Sequence, residues 1–139
     1  MIVLDTNVIS EPLRPAAESR VIEWIDAQPI ETLYLSAITV AELRFGVASL
    51  PAGKRRDRLQ DSLEKQALPL FAGRVLAFDM PASHFYGELM AKARTAGLAI
   101  GTADGYIVAI AASNGMMVAT RDASPFVAAG VDVINPWED

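Results

Sequence analysis

Short apolar segments typical of β-strands alternate along the chain with segments typical of α-helices, and this alternation restricts the fold more than any other feature. The first strand segment, Ile2-Val3-Leu4, has no polar position, as in a strand buried on both faces. Strands that alternate with helices form a parallel sheet with helices on both faces, so the sequence predicts an α/β fold. Further strands are predicted at 32–36, 74–78, 116–119 and 131–134, and helices at 16–27, 40–50, 54–68, 81–96, 103–113 and from Ser124 towards Gly130.

Length and composition are those of one globular domain over residues 1–139. We expect no membrane-spanning helix, because no run of about 18 apolar residues is present. Asp5 and Glu11 interrupt the start of the chain where a signal peptide would be apolar, so we expect a cytoplasmic protein. The absence of Cys excludes disulfides and thiolate-bound metals. The net charge of −5 argues against a general nucleic-acid binder, which usually has an excess of basic residues. The argument is weak, because the charges of an acidic site can outweigh those of a basic patch elsewhere.

Four acidic residues lie after predicted strands or near the start of the helices that follow them. Asp5 ends the first strand, and Asp122 lies just past the fourth. Glu42 lies near the start of the helix after the second strand, and Asp104 follows Thr102, the predicted N-cap of its helix. Ligands of open α/β sheets bind beyond the carboxyl ends of the strands, where the strand order reverses. The four carboxylates meet there if strands two and three lie on one side of strand one and strand four lies on the other.

Such a cluster needs neutralisation. Two like charges 4 Å apart repel each other by about 4 kcal/mol at an effective dielectric constant of 20, against a total stability of about 5–15 kcal/mol. Arg44 and Arg121 neighbour two of the acids in sequence, but helix and strand geometry point them elsewhere. Either some of the carboxylates are protonated or a divalent cation binds, and an oxygen-only site suits Mg²⁺ or Mn²⁺.

The segments that carry the acids resemble the PIN-domain family of ribonucleases, in particular the toxins of VapC-like and FitB-like toxin–antitoxin pairs. The matching segments are residues 2–7, 39–43, 102–107 and 119–122, and residues 133–137 are similar to FitB-type relatives. The four main segments occur in the family's order and at suitable spacing, so the resemblance covers the whole chain.

The resemblance implies a three-layer α/β/α fold with a five-stranded parallel sheet in the order 3-2-1-4-5. It implies that the four acids are catalytic and hold Mg²⁺ or Mn²⁺, and that Thr6, Asn7 and Thr120 orient them. Gly105 stands where relatives commonly have Ala. Because a glycine inside a helix costs roughly 0.5–1 kcal/mol relative to Ala, we expect a close backbone approach there.

The resemblance also implies an endoribonuclease that is the toxin of a bacterial type II toxin–antitoxin pair. We expect a metal-activated water to attack the phosphodiester, because no side chain is an obvious nucleophile and His84 is expected on a helix surface. Such toxins dimerise, form larger assemblies with a small DNA-binding antitoxin, and reach operator DNA only through it. The basic residues of the helix at 54–68 are either a solvated face or contacts to the RNA backbone; they are Lys54, Arg55, Arg56 and Arg58.

Two other functions remain open. An aspartyl-phosphate phosphatase or phosphoacceptor domain also ends its first strand in Asp, but it favours a second acid where Asn7 stands and a late Lys, where only Arg121 is comparable. A catalytically silent module of the same fold could act by binding an antitoxin or RNA.

Overall fold

All five strands of the central sheet run parallel, in the order β3-β2-β1-β4-β5. The fold is described from a computed structural model, over residues 1–138. The predicted topology is confirmed, and the strand order reverses between β1 and β4. The strands are β1 (Ile2–Leu4), β2 (Leu33–Ser36), β3 (Val75–Leu76), β4 (Met117–Ala119) and β5 (Val133–Ile134).

Seven α-helices connect the strands of the described chain. They are α1 (Thr6–Ser10), α2 (Ser19–Ala27), α3 (Ala37–Ala48), α4 (Lys54–Asp61), α5 (Met80–Thr95), α6 (Thr102–Ser113) and α7 (Ser124–Ala128). A π-helical segment, Ser62–Ala67, extends α4, and 3-10 turns cover Glu11–Leu13, Ile30–Thr32 and Leu68–Phe71. No helix within residues 1–138 is both long enough and apolar enough to cross a bilayer.

The side chains of β1 divide the core into two clusters, one on each face of the sheet. Ile2 and Leu4 pack with Val21 of α2 on one face. Val3, between them, packs with Ile107 of α6 on the other face, because successive side chains of a strand point to opposite sides. All three β1 side chains are buried, as the uninterrupted apolar segment predicts. The result is the expected three-layer arrangement.

The starts of several helices differ from the prediction, and α3 begins at Ala37 rather than at residue 40. Helix α1 was not predicted; the Asp5 carboxylate accepts from the Thr6 N–H and begins it. Helix α2 begins at Ser19 rather than at residue 16. Thr102 is the first helical residue and not the cap, because the extended backbone of Gly101 takes the N-cap position without a side-chain hydrogen bond.

Two further expectations concern α4 and Gly105. The predicted single helix over 54–68 is α-helical only to Asp61, and the following π-helical segment leads into Pro69, which has no N–H to continue a helix. A close approach is present at Gly105, but not the expected one of backbone: a Cβ there would lie 2.9 Å from Met90 Sδ and 3.1 Å from Tyr86 Cε2. The neighbours are side chains of α5 rather than backbone.

Candidate active site

The Asp5 carboxylate lies at the carboxyl end of β1, and both of its oxygens are held. Oδ1 accepts from the Thr6 N–H at 2.8 Å, and Oδ2 accepts from the Thr120 hydroxyl at 2.8 Å. The Asp5 N–H donates to the Ala119 carbonyl at 2.9 Å, which continues the pairing of β1 with β4. Only 5% of Asp5 is exposed, so its carboxylate has a fixed position at the strand-order reversal.

The Glu42 carboxylate is linked to the end of β1 by a chain of hydroxyl groups. The Thr6 hydroxyl lies 2.7 Å from Glu42 Oε1 and 3.1 Å from the Thr39 hydroxyl, which in turn lies 3.3 Å from the Ser36 hydroxyl. Ser36 also caps α3 by accepting from the Thr39 N–H. Glu42 is exposed and lies in the second turn of α3, one turn later than expected. The sequence did not reveal the site role of Thr39, although it precedes Glu42 by three residues and so shares its helix face.

Asp104 and Asp122 supply carboxylates from α6 and from the loop after β4. Asp104 is half-buried in the first turn of α6. Asp122 is exposed; its N–H donates to the Thr120 hydroxyl at 3.2 Å, and its Oδ1 accepts from the Ser124 hydroxyl at 2.9 Å. Ser124 was predicted only as a helix start, although its position two residues after an Asp is a local signal for this hydrogen bond.

The three predicted orienting residues all contact the site, Asn7 less directly than the others. Thr6 reaches two of the acids and Thr120 reaches Asp5, as described above. The Asn7 amide lies one step further away: Nδ2 is 3.4 Å from the Thr120 hydroxyl, and Oδ1 accepts from the Arg121 N–H at 3.2 Å. Asn7 therefore fixes the backbone that leads from Thr120 to Asp122.

Burial and neighbouring acids shift the pKa of two of the four carboxylates, Asp5 and Asp104. Burial raises the pKa of Asp5, the charges of Asp104 and Glu42 raise it further, and the hydrogen bonds from Thr120 and Thr6 oppose the rise. Burial also raises the pKa of Asp104, with the charges of Glu42 and Asp122 adding to the effect. Within residues 1–138 none of the four acids forms an ion pair. The four acids singled out in the sequence thus lie near one another.

The donor set fits a hard divalent cation. It consists of oxygen atoms only, and a cation would relieve the repulsion that adds to the effect of burial on the pKa of Asp5 and Asp104. In the described part of the chain, no three Asp, Glu or His side chains already stand in a coordinating arrangement. The fit is therefore one of donor chemistry and charge rather than of preformed coordination geometry.

The basic run on α4 divides between two surfaces. Arg55 lines a groove of about 390 Å³ that also includes Thr6 and Glu42 of the site, and Arg58 lines the adjoining depression together with Arg55. Arg56 instead lies in a depression with Arg44, whose Nε is 2.7 Å from Glu64 Oε1. Lys54 is exposed.

Comparison with known proteins agrees with this geometry. A family model described as PIN domain matches residues 2–130. The chain belongs to the PIN-domain family. Among relatives of this PIN domain, a protein named VapC ribonuclease from Sinorhizobium fredii is 65% identical over 138 residues. The plasmid stability protein StbB of Pseudomonas syringae pv. tomato is 63% identical over 138 residues. Each match covers 99% of both chains. Toxin FitB of Neisseria gonorrhoeae is 55% identical over the full length of both chains.

Solved structures show the same fold. The crystal structure of FitAcB from Neisseria gonorrhoeae matches this PIN domain with a TM-score of 0.96 and 55% identity, over 99% of each chain. A structure of VapBC2 from Rickettsia felis bound to a promoter DNA fragment matches with a TM-score of 0.78 over 97% of this chain and 98% of that one, at 23% identity, and so supports the fold alone. The chain is therefore a PIN domain of the FitB-like and VapC-like type.

Proposed function

We propose that this PIN domain is a metal-dependent endoribonuclease and the toxin of a bacterial type II toxin–antitoxin pair. The observation that supports this most directly is the meeting of four carboxylates from distant segments at the strand-order reversal. Relatives that match along nearly the whole chain carry the names VapC ribonuclease and toxin FitB. RNA in the bacterial cytoplasm is the proposed substrate.

In this proposal Asp5, Glu42 and Asp104 hold the principal Mg²⁺ or Mn²⁺, and Asp122 assists. The bound cation would activate a water for attack on the phosphodiester and stabilise charge on the phosphate oxygens. The contribution of the protein's own hydroxyl groups is to orient the carboxylates. The hydroxyls of Thr6 and Thr120 are engaged with carboxylates, so they fix the acids rather than act as nucleophiles.

The proposed partner is a small DNA-binding antitoxin, through which alone operator DNA would be reached. Solved relatives include FitAcB and FitAB bound to the IR36 DNA fragment. We further propose a homodimer that forms larger assemblies with the antitoxin. RNA backbone contacts are assigned to Arg55 and Arg58 in the first place, because Arg55 lines the groove that includes Thr6 and Glu42, and Arg58 lines the depression next to that groove.

The phosphoacceptor function is not favoured by the position of Arg121. Such a domain needs a basic side chain directed at the first-strand Asp, but the Arg121 guanidinium carbon lies 5.2 Å from the centre of the Trp137 ring. The Asp5 oxygens accept from Thr6 and Thr120 instead. Incubation with a small phosphodonor should therefore give no phosphoprotein.

The decisive experiment is incubation of total RNA with purified protein in Mg²⁺ or Mn²⁺, followed by sequencing of new 5′ ends. Wild type should cut at defined sites, and Asp5→Asn should not, with the fold of the variant verified by thermal melting. Asp132→Asn is the matched control, because Asp132 is an exposed acid that precedes β5 and takes no part in the site. Wild-type protein that binds RNA without cutting it would favour the silent binding module.

A further inference from the structure

Arg121 lies between Thr120 and Asp122 of the acidic site, and it is held from three directions. Its N–H donates to Asn7 Oδ1 at 3.2 Å, and its carbonyl accepts from Asn135 Nδ2 at 3.3 Å. Its guanidinium lies over the Trp137 ring, within the range of a cation–π interaction. The contacts that hold Arg121 therefore also hold the backbone between Thr120 and Asp122, which carry a hydroxyl and a carboxylate of the site.

Two of these three anchors belong to the segment 135–137, which we call the clamp. The clamp is itself ordered: the Trp137 N–H donates to Asn135 Oδ1 at 2.9 Å, and Pro136 between them is buried. Arg20 of α2 donates to the Trp137 carbonyl at 2.9 Å and so ties the clamp to the helical layer. The clamp is thus held in place by its own hydrogen bonds and by Arg20, independently of its contacts with Arg121.

The charge of Arg121 acts away from the acidic site. The pKa of the buried Glu11 is lowered mainly by the hydrogen bond from the Glu18 N–H, and also by Arg14 and by the charge of Arg121. The charged groups that shift the pKa of Asp5 and Asp104 are the other acids of the site. Arg121 thus serves as a structural anchor, and its charge is not among the causes that shift the pKa of Asp5 and Asp104.

We propose that the clamp is a positioning element of the acidic site, which sets the place of the Asp122 carboxylate by holding Arg121. Trp137 is then a positioning residue, since it acts through Arg121 and touches neither substrate nor cation. This inference rests on the proposed function, because it requires that the four acids bind a divalent cation.

The test compares two tryptophan variants by calorimetric titration with Mn²⁺ in the absence of RNA. Trp137 and Trp24 both pack, partly buried, against the same core cluster, so Trp24→Leu reproduces the loss of packing without the contact to Arg121. Trp137→Leu should weaken Mn²⁺ binding roughly threefold to tenfold, while Trp24→Leu leaves it unchanged. Trp137→Phe keeps an aromatic face and should retain most of the affinity.

The second step repeats the Trp137→Leu substitution in an Asp122→Asn background. If the clamp acts through Asp122, Trp137→Leu causes no further loss of Mn²⁺ affinity there. Hydrogen exchange gives a readout that needs no metal: the Arg121 and Asp122 amides should exchange faster in Trp137→Leu than in wild type or Trp24→Leu. These amides donate to Asn7 and Thr120 in the intact site.

The outcomes separate the two proposals. Equal Mn²⁺ affinity in wild type and Trp137→Leu, or the same loss with and without Asp122, would overturn the role of the clamp. Wild type that takes up no Mn²⁺, or an Asp5→Asn variant with unchanged uptake, would overturn the proposed function instead.

Discussion

The Thr120 hydroxyl donates to Asp5 Oδ2 over 2.8 Å and joins two residues that are 115 positions apart in the chain. This hydrogen bond crosses the boundary between β1 and β4, where the strand order reverses. It is one of the two contacts that hold the most buried acid of the site in place.

Removal of the Thr120 hydroxyl should therefore weaken both folding and cation binding. Thr120→Val keeps the shape and deletes the donor, so the free energy of unfolding should fall by about 1–3 kcal/mol. Mn²⁺ affinity should fall about tenfold. Denaturant titration and calorimetry measure these effects, with Thr120→Ser as the control that keeps the hydroxyl. Valine and serine variants that behave alike would contradict the assigned role.

The raised pKa of Asp5 predicts a specific dependence of stability on pH. Burial, the main cause, and the charges of Asp104 and Glu42 favour the protonated form in the folded protein. The folded state then binds more protons than the unfolded state, so this group stabilises the metal-free protein below its ordinary pKa of about 4. That contribution should be lost as pH rises through the raised pKa.

The difference between wild type and Asp5→Asn isolates this contribution from that of other acids such as Glu11, whose pKa is lowered. Urea melts of metal-free protein should show wild type losing stability relative to Asp5→Asn as pH rises. Added Mn²⁺ should reverse the trend, because binding requires deprotonated carboxylates. A difference between the two proteins that does not change with pH would show that Asp5 titrates normally.

Charge reversal on α4 tests the proposed RNA contact with an internal control. Arg55→Glu/Arg58→Glu changes the net charge as much as Lys54→Glu/Arg56→Glu does, but only the first pair lines both depressions next to the site. In an Asp104→Asn background that prevents cutting, the first pair should weaken RNA binding and reduce the salt slope by about 1.4, from two contacts at about 0.7 each. Equal effects of the two pairs would indicate general charge attraction instead.

The packing of α5 on α6 at Gly105 predicts a coupling with Met90. A Cβ at residue 105 would lie 2.9 Å from Met90 Sδ, so Gly105→Ala alone forces the methionine to move. In a Met90→Ala background the new methyl group fills the space that has been vacated. A double-mutant cycle of unfolding free energies should therefore give a favourable coupling of about 1 kcal/mol. Additive effects would mean that Met90 adjusts freely.

The local sequence was sufficient to predict those features in which the residue type alone indicates burial or exposure. Ile2-Val3-Leu4 predicts a doubly buried strand, and Asp5 directly after it predicts a carboxylate at the edge of the sheet; both are confirmed. Helix boundaries were less accurate because backbone geometry can replace side-chain signals. Gly101 supplies the extended N-cap of α6 without any side chain, so Thr102 was taken as the cap in error.

The supporting contacts of the site depended on tertiary structure and could not be predicted. Nothing near Trp137 in sequence indicates that its ring lies under Arg121. Glu11 was interpreted only as an interruption of an apolar start, although the structure buries it against Arg14 and the Glu18 N–H. The chain between Glu11 and Glu18 folds back so that the Glu18 N–H reaches the Glu11 carboxylate, and the spacing of apolar residues does not predict this contact.

The central place of β1 has a consequence for synthesis on the ribosome. A nascent chain that already displays Asp5 and Glu42 still lacks Asp104 and Asp122, and its first strand has one unpaired edge until β4 emerges. Translation must therefore have passed β4 and Asp122 before the four acids can assemble. Under the proposed function, a nascent chain that stops short of Asp122 carries an incomplete site.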